Sequence, residues 1–392
     1  MNILIFTDTY YPETNGIAVT TKTLVDVLKA NGHQVLVVTS VYNNKIPNNE
    51  PNTYYISFPK RKKRSLFTTI SVFNNLIFRH IKAFKPDLIH NQTNGQIGQL
   101  GRYTADKLKI PFIYTYHSHF EEYAPYVGPG MINRMARARE RSYLNKMMKI
   151  STEFIAPSSK IKNYLRKKGV DKYINVITTG IDVSKWEISE AVIKDSKYLH
   201  KKYGIPDETK VLMYVGALSE EKNLDLLINS YKKYLDSQPK VDTRLIIVGE
   251  GDQQEALENL IKQLGIQDHI LFIGKVNHDK MKSFFAFADL FVTASTSETQ
   301  SVSTMESMAA RCLVLVKDDE TLVDLIDRDK NGFIFDNDDS FVEELKRILS
   351  LSEDEIEKVK KAAFKTISTN FSLDKFYERI VEVYERAKRK KW

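Results

Sequence analysis

Short runs of apolar, often β-branched residues alternate along the chain with longer segments in which apolar residues recur every three or four positions. The short runs predict buried strands, and the longer pattern predicts amphipathic helices. In residues 20–31, for example, Leu24, Val27 and Leu28 share one helical face. The predicted strands are 3–7, 34–39, 53–58, 88–90, 112–116, 153–156 and 174–177, followed by 211–215, 244–248, 270–273, 290–293, 313–316 and 332–335.

Strands that alternate with helices indicate parallel sheets covered on both faces. The pattern restarts near Val211, after a polar stretch over residues 182–208 that contains Pro206. The sequence therefore predicts an α/β protein with two doubly wound, Rossmann-like domains, which suits a chain of 392 residues. We expect the domains to cover residues 1–185 and 186–372, with a helix over 373–392 that returns to the first domain.

The composition fits a folded protein of the cytoplasm. No stretch reaches the roughly 18 apolar residues that a membrane-spanning helix needs. Met1 is followed at once by a strand-like run, so no signal peptide is expected. The single cysteine, Cys312, cannot form an internal disulfide and suits a reducing compartment.

The net charge of +8 is unevenly distributed. An unbroken basic run consists of Lys60, Arg61, Lys62, Lys63 and Arg64, and further arginines follow at 134, 137, 139 and 141. By contrast, residues 320–357 are rich in acids. The basic first half indicates an anionic partner, and on charge alone both nucleic acid and anionic lipid headgroups qualify.

Ligands of open α/β sheets bind where strands end and helices begin. Gly16 lies in the loop before the first helix, where it would let backbone amides approach a phosphate. Gly216 ends the strand over 211–215, and Lys222 follows at a helix start, where its charge could neutralise a diphosphate. An ordinary turn and an exposed lysine are the alternatives.

The most informative segment follows the strand over 290–293. Glu298 and Glu306 stand eight residues apart with a predicted helix start between them, so both carboxylates would face one cleft. Carboxylates accept hydrogen bonds from sugar hydroxyls. The amides of Thr299, Gln300, Ser301 and Val302 would form a helix N-terminus that is ready for phosphate. Two ordinary surface glutamates are the alternative.

This ordered set resembles the retaining glycosyltransferases of family 4, which have the GT-B fold of two Rossmann-like domains facing across a deep cleft. The family signature of two glutamates separated by seven residues is matched by Glu298 and Glu306. The loop before Gly16, the segment from Gly216 to Lys222 and the run over residues 179–182 fit in order and spacing. The likeness covers nearly the whole chain.

A narrower resemblance, to bacterial 1,2-diacylglycerol 3-glucosyltransferases (monoglucosyldiacylglycerol synthases), rests on Glu298-Thr299-Gln300 and on residues 116–123. It implies retaining transfer of α-glucose from UDP-glucose to diacylglycerol, with Glu298, Lys222 and His117 as catalytic residues. No cofactor and no obligatory metal are expected besides the sugar nucleotide. His117 as a structural histidine is the alternative.

The chain departs from the family at several positions. Ala217 replaces an arginine that helps to hold the donor diphosphate, and Ser301-Val302 replaces Gly-Leu. Arg311 is a candidate for restoring the missing charge. These changes leave open a degenerate, non-catalytic partner subunit, and another lipid or a cell-wall polymer as acceptor.

A membrane-binding surface is predicted in the first half. The basic run from Lys60 to Arg64 leads into Phe73 and Ile77 at helical spacing, as in a helix that lies on a bilayer. Arg134, Arg137 and Arg141 would add charge. We therefore expect a peripheral protein on the inner face of the cell membrane that contacts anionic lipid and not nucleic acid; a core-packing helix with a solvated charge run is the alternative.

Overall fold

The structure is a computed structural model that describes residues 1–13, 15–42, 52–58, 75–117 and 130–390. The chain divides into two compact units, which are residues 1–180 with 373–392, and residues 181–372. The predicted α/β class is confirmed, because both units contain a parallel sheet with helices packed against it.

The sheet of the first unit has seven parallel strands in the order β3-β2-β1-β4-β5-β6-β7. The strands β1, β4, β5 and β6 are buried along their length without alternation, as expected when both faces of a sheet are covered. The strands are β1 (Asn2–Phe6), β2 (Gln34–Tyr42), β3 (Thr53–Phe58), β4 (Leu88–Asn91), β5 (Phe112–Thr115), β6 (Glu153–Ala156) and β7 (Ile174–Val176).

Helices cover this sheet and bury one apolar stripe each. In α1, Leu24, Val25 and Leu28 are buried against the sheet, and Asn15 caps the helix by accepting a hydrogen bond from the Ala18 amide at 3.0 Å. The helices are α1 (Gly16–Ala30), α2 (Asn75–Phe84), α3 (Gln96–Leu108), α4 (Met131–Ile150) and α5 (Ser159–Lys167).

The sheet of the second unit has six parallel strands in the order β10-β9-β8-β11-β12-β13. Its two faces support separate buried clusters, one centred on Phe291 and Met305 and the other on Tyr231 and Leu245. The strands are β8 (Lys210–Val215), β9 (Thr243–Val248), β10 (Ile270–Gly274), β11 (Leu290–Thr293), β12 (Leu313–Lys317) and β13 (Phe333–Phe335).

Most helices of the second unit follow a strand, as in other doubly wound folds, whereas the first precedes β8 and the last follows another helix. Two of them begin with capping boxes, at Asn337 and Ser352, which satisfy the first free amides of each helix. The helices are α6 (Glu190–Tyr203), α7 (Leu224–Asp236), α8 (Gln254–Leu264), α9 (Met281–Phe287), α10 (Val302–Ala309), α11 (Asp338–Leu349) and α12 (Glu353–Asn370).

The last helix, α13 (Leu373–Arg389), belongs to the first unit. The helix buries Phe376, Ile380 and Tyr384 against the sheet of the first unit. Its Arg386 forms a two-point ion pair with the buried Glu153, at 2.9 and 3.1 Å. The sequence placed the first boundary after residue 185, whereas the structure divides the chain after Gly180. The reason is that Ile181 pairs with Ser372 and packs in the core of the second unit.

None of the helices within the described ranges combines the length and the apolar character that crossing a bilayer requires.

Candidate active site

Three glycines bring two loops together at the carboxyl ends of β8 and β9. A Cβ on Gly249 would lie 1.8 Å from the Gly216 carbonyl oxygen, and one on Gly251 would lie 2.1 Å from that of Leu218. Gly249 also has φ +146°, which favours glycine. Gly216 also has no room for a side chain, because a Cβ at this position would lie 2.5 Å from the Tyr214 hydroxyl. Gly216, Gly249 and Gly251 therefore form a closely packed surface, here called the glycine platform. The chain continues from this surface to Lys222.

Lys222 ends a short 3-10 turn (Glu220–Lys222) directly after this platform. Its Nζ lies 2.7 Å from Glu298 Oε1 and 3.3 Å from Ser297 Oγ. The two charged side chains are only 16% and 28% exposed, so their attraction is less screened than that of a surface pair. The structure thus brings together two of the residues that the sequence predicted to be catalytic.

The segment that carries Glu298 is fixed at several points. Ser295 Oγ donates to Glu298 Oε1 at 3.0 Å, and Thr321 Oγ1 donates to the Glu298 carbonyl at 2.8 Å. Asn223, which follows Lys222 with φ 51°, donates to the Ala294 carbonyl and to Thr296 Oγ1 at 3.3 and 3.2 Å. The loop after β11 is therefore held to the segment around Lys222 by side chains of both.

The predicted helix start lies just beyond Glu298. Helix α10 begins at Val302, and its N-cap residue Ser301 makes no side-chain capping bond. Thr299 is partly buried, and Gln300 and Ser301 are buried at 7% exposure. An N-terminus without a side-chain cap, close in sequence to a lysine-bound carboxylate, offers amide donors to an anion.

Glu306 lies inside α10, and its side chain is 14% exposed. Its Oε1 lies 2.7 Å from Nε2 of His278, a residue to which the sequence analysis gave no role. The hydrogen bond with Glu306 raises the pKa of His278 above its usual value, although burial acts in the opposite direction. His278 follows β10, so its position after a strand was the available signal.

His117 lies in the first unit, just after β5. Its Nε2 lies 2.7 Å from Gln92 Oε1, and because a carbonyl oxygen only accepts, Nε2 carries the proton. Burial lowers the pKa of His117 to about 4, so the ring is neutral near pH 7. The sequence analysis gave no role to Gln92 either. This residue is 3% exposed, and its Nε2 has no hydrogen-bond partner among the described residues.

The loop before α1 is organised by side chains. Asn15 Nδ2 donates to Thr9 Oγ1 at 2.6 Å and to Glu13 Oε2 at 3.0 Å. Gly16 is exposed, and a Cβ there would meet no atom within 4 Å. Gly16 and His117 belong to the first unit and the other candidate residues to the second, so their contribution to one shared site stays a prediction.

Arg311 does not restore the charge that Ala217 lacks. Its guanidinium stacks on Phe364 of α12, with 4.2 Å to the ring centroid. Arg311 lies just beyond the C-cap residue Ala310 of α10, whereas the amides that could bind an anion lie at the N-terminal end of this helix. Ala217 itself is exposed, so the position is accessible to solvent.

The predicted membrane residues are only partly described. Lys60 to Arg64 and Phe73 lie outside the described residues. Arg134, Arg137 and Arg141 are exposed on α4, together with Met135, which is 66% exposed. Ile77 differs from the prediction, because it is partly buried and packs against the core of the first unit on α2.

Within the described ranges, no group of three or more His, Cys, Asp or Glu side chains is arranged to hold a metal ion. The absence of an obligatory metal stays a prediction.

Comparisons with known families cover most of the chain. Residues 14–185 match the family described as Glycosyltransferase Family 4, and residues 195–366 match the family described as Glycosyl transferases group 1. Alpha-monoglucosyldiacylglycerol synthase of Streptococcus pneumoniae is 31% identical over 86% of this chain and 75% of its own. The enzyme of the same name from Acholeplasma laidlawii is 26% identical over 88% and 87%.

Solved structures share the fold at low identity. Anabaena HepE in complex with UDP and glucose aligns with a TM-score of 0.73 and 18% identity, over 98% of this chain and 99% of that one. Sucrose-phosphate synthase of Thermosynechococcus elongatus aligns with a TM-score of 0.74 and 18% identity, over 98% of each chain. These likenesses confirm the two-domain architecture that the sequence predicted.

Proposed function

The chain belongs to the family 4 glycosyltransferases, and from that premise we propose that it transfers an α-glucosyl group from UDP-glucose to 1,2-diacylglycerol. The observation that carries the proposal is the Lys222–Glu298 pair beside the uncapped start of α10. A sugar nucleotide needs cations and amides for its diphosphate and acceptors for its hydroxyls, and this segment supplies both.

The donor would be held by the second unit. Lys222 and the α10 amides would stabilise the diphosphate, whose negative charge grows as the sugar leaves. Glu298 would accept from hexose hydroxyls, and Glu306 would accept from the ribose. Structures of HepE with UDP and with UDP-glucose support a uridine nucleotide donor for this chain.

Retention would follow from attack on the same face as the leaving group. The departing diphosphate would take the proton of the acceptor hydroxyl, through an ion-pair-like transition state. His117, neutral and with Nδ1 as an acceptor, would contact the sugar without adding a charge.

Diacylglycerol as acceptor is supported by the two relatives that are diacylglycerol glucosyltransferases by name. The exposed arginines at 134, 137 and 141, beside the exposed Met135, also suit a protein that works at an anionic bilayer. Peripheral association with the cytoplasmic membrane is part of the same proposal.

The deciding experiment supplies radiolabelled UDP-glucose, UDP-galactose and GDP-mannose to purified protein with liposomes that contain diacylglycerol or monoglucosyldiacylglycerol. The expected product is monoglucosyldiacylglycerol from UDP-glucose alone. Glu298→Gln serves as the matched control and should transfer more slowly, since it keeps the size of the side chain but removes its charge. Transfer only to monoglucosyldiacylglycerol would show that diacylglycerol is not the acceptor. Transfer only from UDP-galactose or GDP-mannose would show that UDP-glucose is not the donor.

The proposed membrane association is tested separately, by sedimentation of the protein with vesicles of rising anionic-lipid fraction. Changing Arg134, Arg137 and Arg141 together to Gln should weaken binding, since each base near an anionic surface contributes about 1 kcal/mol. The matched control changes Lys194, Lys197 and Lys201, exposed on α6 of the second unit, to Gln. Equal losses in both triple variants would contradict an interfacial surface on α4.

A non-catalytic binding subunit is the second candidate, and Ala217 favours it. The arginine that the family has at position 217 is missing, and the guanidinium of Arg311 stacks on the ring of Phe364 instead of replacing it. Such a subunit would bind UDP but neither hydrolyse nor transfer from UDP-glucose. Measurable transfer by purified wild-type protein, lost in Glu298→Gln, would exclude it.

A further inference from the structure

A cavity of about 630 Å³ opens in the first unit between α3 and α4. This volume lies in the range of small-ligand pockets, roughly 300–1,000 Å³. Three cations line it, Arg102 from α3 and Arg139 and Lys146 from α4. The α4 arginines that the sequence predicted to bind the membrane, at positions 134, 137 and 141, do not line this cavity.

The charged ends of the three cations are not engaged by the described part of the protein. Within the part of the chain that the structure describes, Arg102, Arg139 and Lys146 take part in no hydrogen bond and no ion pair. By contrast, Lys109, the residue directly after α3, pairs with Asp106 at 2.9 Å. Three unpaired charges at one concave surface repel one another, and an anion between them removes that repulsion.

The spacing on α4 suits one shared ligand. Arg139 and Lys146 are seven residues apart, so they lie on the same helical face, about 10.5 Å apart along the axis. Ala136, Ser142 and Tyr143 also line the cavity, and the small Ala136 leaves room on this face. Arg102 partly closes the opposite wall from α3 and is itself partly buried.

Glu140 is the acid in the cavity wall, and its carboxylate is engaged below the surface. Its Oε1 accepts from the Tyr116 hydroxyl at 2.6 Å and from the Tyr164 hydroxyl at 2.5 Å. Its Oε2 lies 3.8 Å from Lys168 Nζ, and the side chain is 5% exposed. Glu140 therefore does not neutralise the three cations at the mouth.

We propose that this cavity between α3 and α4 binds a phosphate ester. Two guanidinium groups and an ammonium match the charge and the donor geometry of a phosphate better than those of a single carboxylate. The phosphate could belong to a phospholipid headgroup or to a soluble phosphate ester, and the chemistry of recognition is the same. None of the residues that line the cavity is among those proposed for the sugar nucleotide, so its binding of a phosphate ester can be measured without the transfer reaction.

The first arm of the test uses sn-glycerol 3-phosphate and inorganic phosphate with the full chain, by calorimetry. Arg139→Gln with Lys146→Gln should weaken binding about tenfold or more. The matched control is Arg134→Gln with Arg141→Gln, which removes the same number of charges at the same seven-residue spacing from the same helix. This control should bind the soluble phosphate ester like wild type.

The second arm uses phosphatidylcholine vesicles with and without phosphatidylglycerol. If the ligand is a lipid headgroup, the Arg139 and Lys146 variant should lose more binding than the Arg134 and Arg141 variant, and soluble phosphate should bind weakly. Equal losses in the two variants on vesicles, without any soluble binding, would mean diffuse surface charge and would overturn the proposal. Absence of binding in both arms would do the same.

Ala136→Glu is the second variant, because it places a carboxylate in the cavity and leaves all three cations intact. It should abolish binding of the phosphate ester. UDP binding and the melting temperature should stay as in wild type, which shows that the protein is folded. Undiminished phosphate binding in Ala136→Glu would place the anion elsewhere.

Discussion

The Lys222 ammonium lies 2.7 Å from Glu298 Oε1, although the two residues are 76 positions apart in the chain. In the absence of donor the two charges compensate each other. A sugar nucleotide would bring a diphosphate for Lys222 and hydroxyls for Glu298, so binding would exchange one charged contact for two.

Glu298→Gln should lower kcat by more than about tenfold, or about 1.4 kcal/mol of barrier. The amide keeps the shape but loses the charge that pairs with Lys222 and that we propose accepts from the sugar. Steady-state rates in mixed micelles measure this. Ser295→Ala, which removes only one hydrogen bond to Glu298, is the milder comparison. A kcat of Glu298→Gln within about threefold of wild type would remove Glu298 from the site.

Glu306→Ala should weaken UDP binding by about 1–3 kcal/mol, since it removes the charged group that we propose as the acceptor for the ribose. The His278 contact supplies the partner experiment. If His278 competes with the ribose for Glu306, His278→Ala should bind UDP as tightly as wild type or more tightly. Calorimetry on both variants measures this. A loss in His278→Ala as large as that in Glu306→Ala would instead give His278 a direct role in nucleotide binding.

Ala217→Arg should lower both the Kd for UDP and the KM for UDP-glucose. The position is exposed and lies on the glycine platform, and a charge-assisted contact contributes about 1.5–3 kcal/mol. Arg311→Gln is the control and should leave UDP binding unchanged, because Arg311 stacks on Phe364. If Ala217→Arg leaves both constants unchanged, position 217 does not face the diphosphate.

Most of the fold followed from hydrophobic periodicity, because buried parallel strands such as β1 and β11 carry uninterrupted apolar runs. Glu298 and Lys222 were found because they follow strands. His278 and Gln92 also follow strands, yet their contacts depend on how separate loops approach one another, which periodicity does not encode. The role of Arg311 stayed open in the sequence, because only the length of α10 shows that this residue lies beyond the C-terminal end of the helix.

Acid should destabilise the first unit through His90. This residue is 1% exposed between Tyr384 and Thr115, both at 2.7 Å, and burial lowers its pKa to about 3. The unfolded chain, with a histidine pKa of about 6.5, binds the proton first, so stability is complete above that pH and falls below it. Between pH 7 and 5 the free energy of unfolding should drop by about 2 kcal/mol on this account.

His90→Gln should reduce that slope in denaturant titrations at several pH values. His278→Gln is a control of opposite sign, because the pKa of His278 is raised by Glu306. Its contribution is present below the unfolded pKa and disappears as pH rises, so its removal should not flatten the loss in acid. An unchanged slope in His90→Gln would show that His90 is not the group that titrates.

Gln92 should act on turnover through His117, as a positioning residue. Its Oε1 accepts the Nε2 proton of His117 and thereby leaves Nδ1 as an acceptor, which a sugar hydroxyl needs. Gln92→Leu removes this restraint, and Gln92→Glu keeps the acceptor but adds a charge that raises the pKa of His117. Nitrogen-15 NMR of the imidazole should show a tautomer mixture in Gln92→Leu and a ring that protonates at higher pH in Gln92→Glu. In both variants kcat should fall more than the affinity for UDP, because the residues that we propose for UDP belong to the other unit. A tautomer in Gln92→Leu identical to that of wild type, or a parallel loss of UDP binding, would contradict this role.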